Sequence, residues 1–250
     1  NPKSGKLSLH KKKQIILRIY PDETPVIVIT RSGKETSSVA KYHMKKNCKV
    51  IACGGDGTIN LIAQQAVEND GVMGVLPFGR GNDFARSLGL NSIPKAIEKL
   101  KDNTSTECRY LDIDFTNYKR IALTCAGVGL LSEAAYRASK IPILKGSLLY
   151  AVSALICFIN LKTHSYILTL NKKRIKQEAL IFAGAASQYT GGGMFIAPQA
   201  QKRKRDLNLL FATGLKRFDA IKLLLKVFDG SHIKHPAVTN THLKSFKIET

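Results

Sequence analysis

Two glycine-bearing stretches carry the residue types that handle phosphate: GGDGTIN at 54–60 and PFGRGNDFA at 77–85. Each follows a short apolar run, 50–53 and 72–76, of the kind that forms a buried parallel strand. After the first, Ile59, Ile62, Ala63 and Ala66 recur at the spacing of a helix face. Gly54, Gly55 and Gly57 leave the backbone between strand and helix uncovered by side chains. Thr58 stands where a helix N-cap is expected. Bare amides at a helix N-terminus form an anion site, because free N–H groups and the positive end of the dipole point the same way. The pattern is neither G-x-x-x-x-G-K-[ST] nor G-x-G-x-x-G.

Asp56 turns an anion site toward chemistry. A carboxylate beside a phosphate is repelled unless a cation or a proton stands between them. Two uses are open from the residues alone. Asp56 caps the turn or helix by accepting backbone N–H bonds, or it holds magnesium or accepts a hydroxyl proton in phosphoryl transfer. That reaction needs positioning and charge neutralisation more than covalent chemistry, so a glycine cradle plus one carboxylate is a workable minimum. NPKSGK (1–6) and YTGGGMFIAPQA (189–200) are two further glycine-bearing stretches.

These loops need a scaffold. Residues 6–18, 34–46 and 93–102 read as helices, and 24–30 (TPVIVIT) reads as a strand because β-branched residues dominate it. Strand and helix alternating over short loops predict a mostly parallel, doubly wound sheet covered by helices. In such a sheet, loops at the carboxyl ends of strands share one crevice, so 54–60 and 77–85 are expected to open together. After about residue 110 the pattern changes to strand-like runs at 111–115, 121–128, 165–170, 179–187 and 207–213, several alternating as antiparallel strands do. One helix-like segment, 146–161, interrupts them. The expectation is an α/β domain over 1–110 and a β-rich domain over 111–250.

The composition bounds the partners. The chain has 250 residues and 44% apolar content, enough for a real core, and a net charge of +21. That charge predicts an acidic partner such as an anionic membrane surface or a phosphorylated ligand. No nucleic-acid motif accompanies it, so nucleic acid is not expected. KKK (11–13) and QKRKR (201–205) read as solvated charge runs, or as contacts to anionic headgroups. Cys48, Cys53, Cys108, Cys125 and Cys157 form no C-x-x-C pair, which fits a reducing compartment. His232 and His235 lack the companions of a zinc site. The segment 146–161 is shorter than the roughly 20 residues a spanning helix needs. A cytoplasmic protein peripheral to the membrane is expected.

In combination, GGDGT-x-N, P-x-G-x-G-N-D-F-A and the opening NPKSGK resemble the diacylglycerol kinase catalytic domain family, which includes sphingosine kinases and bacterial lipid kinases. LDIDF (111–115), KGSLLYAVSAL (145–155), GGGM-x-x-A-P-x-A (191–200) and FDGSHIKHPAV (228–238) fit the family's later pattern, so the resemblance covers essentially the whole chain. It implies an α/β nucleotide domain and an antiparallel β-sandwich lipid domain with ATP between them. It also implies transfer of the γ-phosphoryl of ATP to a lipid hydroxyl, diacylglycerol-like, with Mg²⁺. Under it, Asp56 is the catalytic or metal-organising carboxylate. Thr30, Gly54, Gly55, Asp56, Gly57, Thr58, Asn60 and the loop of Arg80, Gly81 and Asn82 contact the nucleotide. Asn1 and Ser4 lie near the phosphates. Asp83 supports the site or caps the helix that follows.

Departures from the family pattern stand beside the matches. Leu61 occupies a place usually held by Glu, and Arg80 one usually held by Thr or Ser. QKRKRD (201–206) replaces an Asp-Gly pair associated with magnesium, putting Lys204 and Arg205 where carboxylate chemistry is expected. The family pattern also extends past both ends of this sequence, into a strand ahead of NPKSG and a D-G-E motif after 250. These departures motivate the alternative expectation of a catalytically silent nucleotide- and lipid-binding homologue.

Overall fold

The computed structural model describes residues 1–21, 24–140, 163–200 and 206–249. They form two compact units, Asn1–Cys108 with Asp112–Leu123, and Arg109–Leu111 with Thr124–Thr250. The expectations for 145–155, 146–161 and 201–205 fall outside the described residues.

The first unit is built on two parallel strands, β1 (Val50–Gly54) and β2 (Met73–Pro77), in register from Val50 opposite Met73 to Gly54 opposite Pro77. Its helices are α1 (Leu9–Leu17), α2 (Gly33–Met44), α3 (Asp56–Glu68), α4 (Asp83–Ser87) and α5 (Ile93–Lys101). Ser8, Ser32 and Ser92 cap α1, α2 and α5 by accepting the amides of Lys11, Glu35 and Lys95. The apolar stripe of α3 packs as its spacing predicts. Ile59, Ile62, Ala63 and Ala66 join Ala40 and Met44 of α2, Ala52, Val75, Phe84, Ala85, Ile121 and Leu123 in one core. Complete burial of Ile59 alone stabilises by about 2 kcal/mol. A second core gathers Ile19, Leu76, Phe78 and Ala96 on the other side of the strands. A short sheet of β3 (Leu111–Asp114) and β4 (Lys119–Ala122) follows.

The stretch 24–30 departs from its expected strand: it joins no ladder among the described residues. Val26 is 80% exposed and Val28 44%. A cavity of about 700 Å³ is lined by 25–30 and by Val50, Ile51 and Cys53 of β1. The stretch thus stands off the edge of β1, and without a paired neighbour β-branched residues do not make a strand.

The second unit holds two antiparallel sheets. One runs in the order β10 (Val238–Leu243), β9 (Leu207–Ala212), β8 (Ile181–Ala185), β5 (Cys125–Gly129). The other runs β11 (Lys247–Glu249), β6 (His164–Leu170), β7 (Lys173–Ala179). They pack face to face through Tyr166, Leu168, Phe182 and Leu209, with the Tyr166 and Phe182 rings edge-on at 5.3 Å. Helices α6 (Leu130–Lys140) and α7 (Arg217–Lys226) contribute Ala134 and Ala220 to a further cluster with Leu180. The expected strand at 121–128 is two strands, β4 and β5, divided where one unit passes to the other between Leu123 and Thr124. Strand β7 (KRIKQEA) escapes the pattern because it exposes nearly every side chain. Its hairpin turn places Asn171 and Lys172 at positive φ, 47° and 70°, where glycine is the usual signal. The chain is therefore an α/β domain followed by an antiparallel β-sandwich-like domain. No helix among the described residues is long and apolar enough to cross a membrane.

Candidate functional site

The register of β1 and β2 decides what happens at their carboxyl ends. Gly54 lies opposite Pro77, so the loops that follow emerge side by side. They touch through bare backbone: a Cβ on Gly79 would sit 2.3 Å from the Cα of Gly55. Only glycine permits that approach, and it joins GGDGT to PFGRG. Sequence spacing passes over Gly79, because its importance rests on a pairing that no local pattern displays.

Helix α3 begins at Asp56, with Gly55 in extended conformation at the N-cap and no side chain capping it. The expected cap, Thr58, instead lies inside the first turn and is buried, and its Oγ1 accepts from Asn1 Nδ2 at 3.0 Å. The helix starts earlier than the sequence suggests, with Gly55 rather than Thr58 at the N-cap. Ile59 N–H donates to Gly55 O at 3.0 Å, so the amides before it are left over by the helix. A Cβ on Gly57 would meet nothing within 4 Å, which leaves that side of the turn open. Uncovered amides at the positive end of α3 are an anion cradle.

Asp56 crosses from one loop to the other. Its Oδ1 accepts from the Phe84 N–H at 3.1 Å, capping α4 rather than its own helix. Its other oxygen has no hydrogen-bond partner among the described residues. Of the two uses open in the sequence, capping falls to Oδ1, and it leaves the second oxygen free among the described residues. Asn82, at φ 54°, donates through Nδ2 to the carbonyls of Pro77 and Gly79, each at 3.2 Å, and its buried Oδ1 has no partner among the described residues. Asp83 opens α4 and is 4% exposed. Arg80 projects from the loop beside Gly81 and is exposed.

The remaining predicted residues divide. Ser4 Oγ donates to Asn1 O at 2.9 Å, and Asn1 Nδ2 ties this loop to Thr58. Thr30 lines the same cavity as Asn1 and Thr58, and its Oγ1 accepts from Thr36 at 2.8 Å. Asn60 does not join the cluster: it donates to Ile121 O and accepts from Leu123 N–H, both at 3.0 Å. Both ends of its amide are spent fastening α3 to β4 and to Leu123 just after it. Leu61 is 36% exposed and lies against Gly33, where a Cβ would be 3.2 Å from Leu61 Cδ1.

No group of three or more His, Cys, Asp or Glu side chains able to hold a metal occurs among the described residues. Magnesium rarely needs such a cage; it keeps water and binds through one or two carboxylates plus phosphate oxygens. One free carboxylate oxygen on Asp56 beside an anion cradle fits that donor set.

Four described cysteines are free. Burial pushes the Cys53 thiol up to about 11 and the Cys125 thiol up to about 12, so both stay neutral near pH 8. Iodoacetamide at pH 8 is expected to modify exposed Cys48 in the folded chain and to reach Cys53 and Cys125 only in denaturant, read by peptide mass spectrometry. Since folding raises these thiols above their ordinary value of 9.0, the stability they contribute is complete below about pH 9 and is lost as the pH climbs toward 11–12.

Comparison with known proteins places this geometry. The diacylglycerol kinase catalytic domain matches residues 1–113, and the YegS C-terminal NAD kinase beta sandwich-like domain matches 124–250. A diacylglycerol kinase of Bacillus subtilis (strain 168) is 25% identical over 256 residues, spanning 99% of this chain and 83% of its own. One from Staphylococcus haemolyticus (strain JCSC1435) is 26% identical over 266 residues, spanning 100% of this chain and 77% of its own. The crystal structure of a diacylglycerol kinase from Bacillus anthracis str. Sterne shares the fold, with a TM-score of 0.70 at 17% identity over 100% of this chain and 83% of that one. With both halves matched in sequence and the whole matched in fold, the chain belongs to the bacterial-type diacylglycerol kinase family.

Proposed function

We propose that the chain is an ATP-dependent lipid kinase that moves the γ-phosphoryl of ATP to the hydroxyl of a diacylglycerol-like lipid. The observation that carries the reading is Asp56: one oxygen fixed by Phe84 N–H, the other unengaged, at the head of uncovered amides on α3. The amides from Gly55 to Thr58 receive phosphate oxygens, with Gly54 and Thr58 shaping the turn and Asn82 bracing the neighbouring loop. Arg80, and Asn1 and Ser4 beside Thr58, bound the phosphate side. Magnesium held by Asp56 and phosphate oxygens would neutralise the charge that builds on the transferred group. In the transfer, the lipid oxygen forms a bond to the γ-phosphorus as the bond to the β-bridging oxygen breaks. The hydroxyl proton passes to water, or to the free Asp56 oxygen when magnesium rides on phosphate oxygens alone, and ADP leaves.

An apolar cavity of about 510 Å³ in the second unit, lined by Leu130, Leu131, Ala134, Leu210, Leu223 and Leu224 among others, supports the lipid reading. Its walls suit an acyl chain, and its size suits small amphiphiles. The net charge of +21 supports work at an anionic membrane surface on the cytoplasmic side. Lys12 is not part of that surface, because it is buried.

The test is transfer of radiolabelled phosphate from ATP to diacylglycerol in mixed micelles with magnesium. Labelled phosphatidic acid is the expected product. Tight ATP binding without product from any lipid alcohol would favour the silent reading that Leu61 motivates.

A further inference from the structure

Lys12 is the one lysine or arginine that the fold buries among the described residues; it is 3% exposed. It belongs to a run of three lysines, yet the run is split by helical phase. Lys12 falls on the face of α1 shared by Ile15 and Ile16, with Ile19 just past the C-cap continuing the stripe. A lysine at such a position loses hydration, and burial lowers its pKa. Acceptors on loop 1–5 stand in for the lost water. Its Nζ donates to Ser4 O at 2.6 Å, Pro2 O at 3.0 Å, and Asn1 O and Ser4 Oγ at 3.3 Å each.

We infer that Lys12 is a positioning residue for the nucleotide site, the internal cation around which loop 1–5 is wound; the inference rests on the kinase reading above. The stereochemistry is direct. In a trans peptide, the carbonyl of one residue and the N–H of the next point to opposite sides. The chain has no cis bonds among the described residues, so each carbonyl drawn to Lys12 turns the following amide outward. The Pro2 carbonyl turns Lys3 N–H away, into a bond with Asn1 Oδ1 at 3.0 Å. The Ser4 carbonyl turns Gly5 N–H away, and this amide has no partner among the described residues. Gly5 holds φ 63° and approaches Phe78 so closely that a Cβ would lie 2.0 Å from its carbonyl oxygen. Loop 1–5 is therefore pressed against the start of the PFGRG turn with one amide presented outward.

The same loop reaches the anion cradle through Asn1 Nδ2 and Thr58 Oγ1, and the Asn1 nitrogen donates to Cys53 O at 3.0 Å. Lys12 thus sets the posture of Asn1 and Gly5 and adds a buried positive charge beneath the phosphate side. Its ammonium is spent on the carbonyls and hydroxyl of loop 1–5. Its effect should fall on ATP and leave the lipid untouched.

The experiment compares wild type with Lys12→Met, which keeps the stem and removes the ammonium, and Lys12→Gln, which restores a shorter neutral donor. Circular dichroism establishes that each is folded. The expected result is a rise of about tenfold or more in the KM and Kd for ATP in Lys12→Met, an intermediate rise in Lys12→Gln, and an unchanged KM for diacylglycerol. A folded Lys12→Met with wild-type affinity for ATP overturns the inference while the kinase reading stands. A wild type that binds no ATP overturns both. Should neither variant fold, the ¹⁵Nζ resonance of Lys12 in wild type decides. A protected ammonium signal that shifts on adding ATP is expected, and an unprotected or unresponsive one overturns the inference.

Discussion

Asp56→Asn is expected to lower kcat for phosphate transfer to diacylglycerol by about a thousandfold, the scale of losing a general base or a metal-organising carboxylate. The substitution suits the question because it is nearly isosteric. The amide oxygen of the replacement side chain still accepts from Phe84 N–H, so the bridge between the two loops survives. The loss of a negative charge from the first turn of α3 costs about 0.5 kcal/mol through the helix dipole. ATP affinity measured without magnesium is expected to hold or to improve slightly, since a carboxylate beside a triphosphate repels it. The signature is a collapse in kcat with fold and ATP binding intact. Wild-type turnover in Asp56→Asn would remove the carboxylate from the chemistry and leave it as a cap for α4.

A second large effect comes from a glycine with no polar atom beyond its backbone. Gly79→Ala would place a Cβ 2.3 Å from the Cα of Gly55, and neither partner is a flexible side chain that can move away. The two loops must separate, at a cost of about 3 kcal/mol in denaturant unfolding and most of the activity. Gly57→Ala is the contrasting case. Its Cβ meets open space, and alanine in a helix is favoured over glycine by about 1 kcal/mol. It is expected to keep or raise stability while raising the KM for ATP, because the methyl stands where phosphate oxygens approach. A Gly79→Ala variant as stable as wild type would mean that the loops are not held together at this point.

The sequence disclosed most where a local period carried the information. Ile59, Ile62, Ala63 and Ala66 announced α3, and the core confirms each of them. The runs before the glycines announced β1 and β2, and their alternation with helices announced a parallel arrangement. What stayed hidden depends on partners distant in the chain. The stretch 24–30 has a strand's residues but pairs with no neighbour among the described residues. Thr58 looks like a cap until Gly55 is seen to start the helix earlier, after which its hydroxyl answers to Asn1 instead. Asn60 is expected at the nucleotide, and its bonds to Ile121 and Leu123 depend on residues 61 and 63 positions away that no local pattern displays. Lys12 reads as one lysine of a charge run, solvated or on anionic headgroups, and its burial shows only once α1 packs Ile15 and Ile16 into the core. Strand β7 shows how a basic, exposed strand with Asn-Lys in its turn evades a search for apolar alternation and glycine.

The central claim is that the amides freed by Gly55 and Gly57 receive the phosphates of ATP with Asp56 at the reacting end. Manganese-ATP tests it directly, since the paramagnetic ion broadens amide signals within its reach in an ¹⁵N-labelled protein. Progressive loss of the Gly55, Asp56, Gly57 and Thr58 amides at low manganese is the predicted result, with Gly79 and Phe84 following. Nucleotide binding that broadens other amides and leaves these four sharp would contradict it.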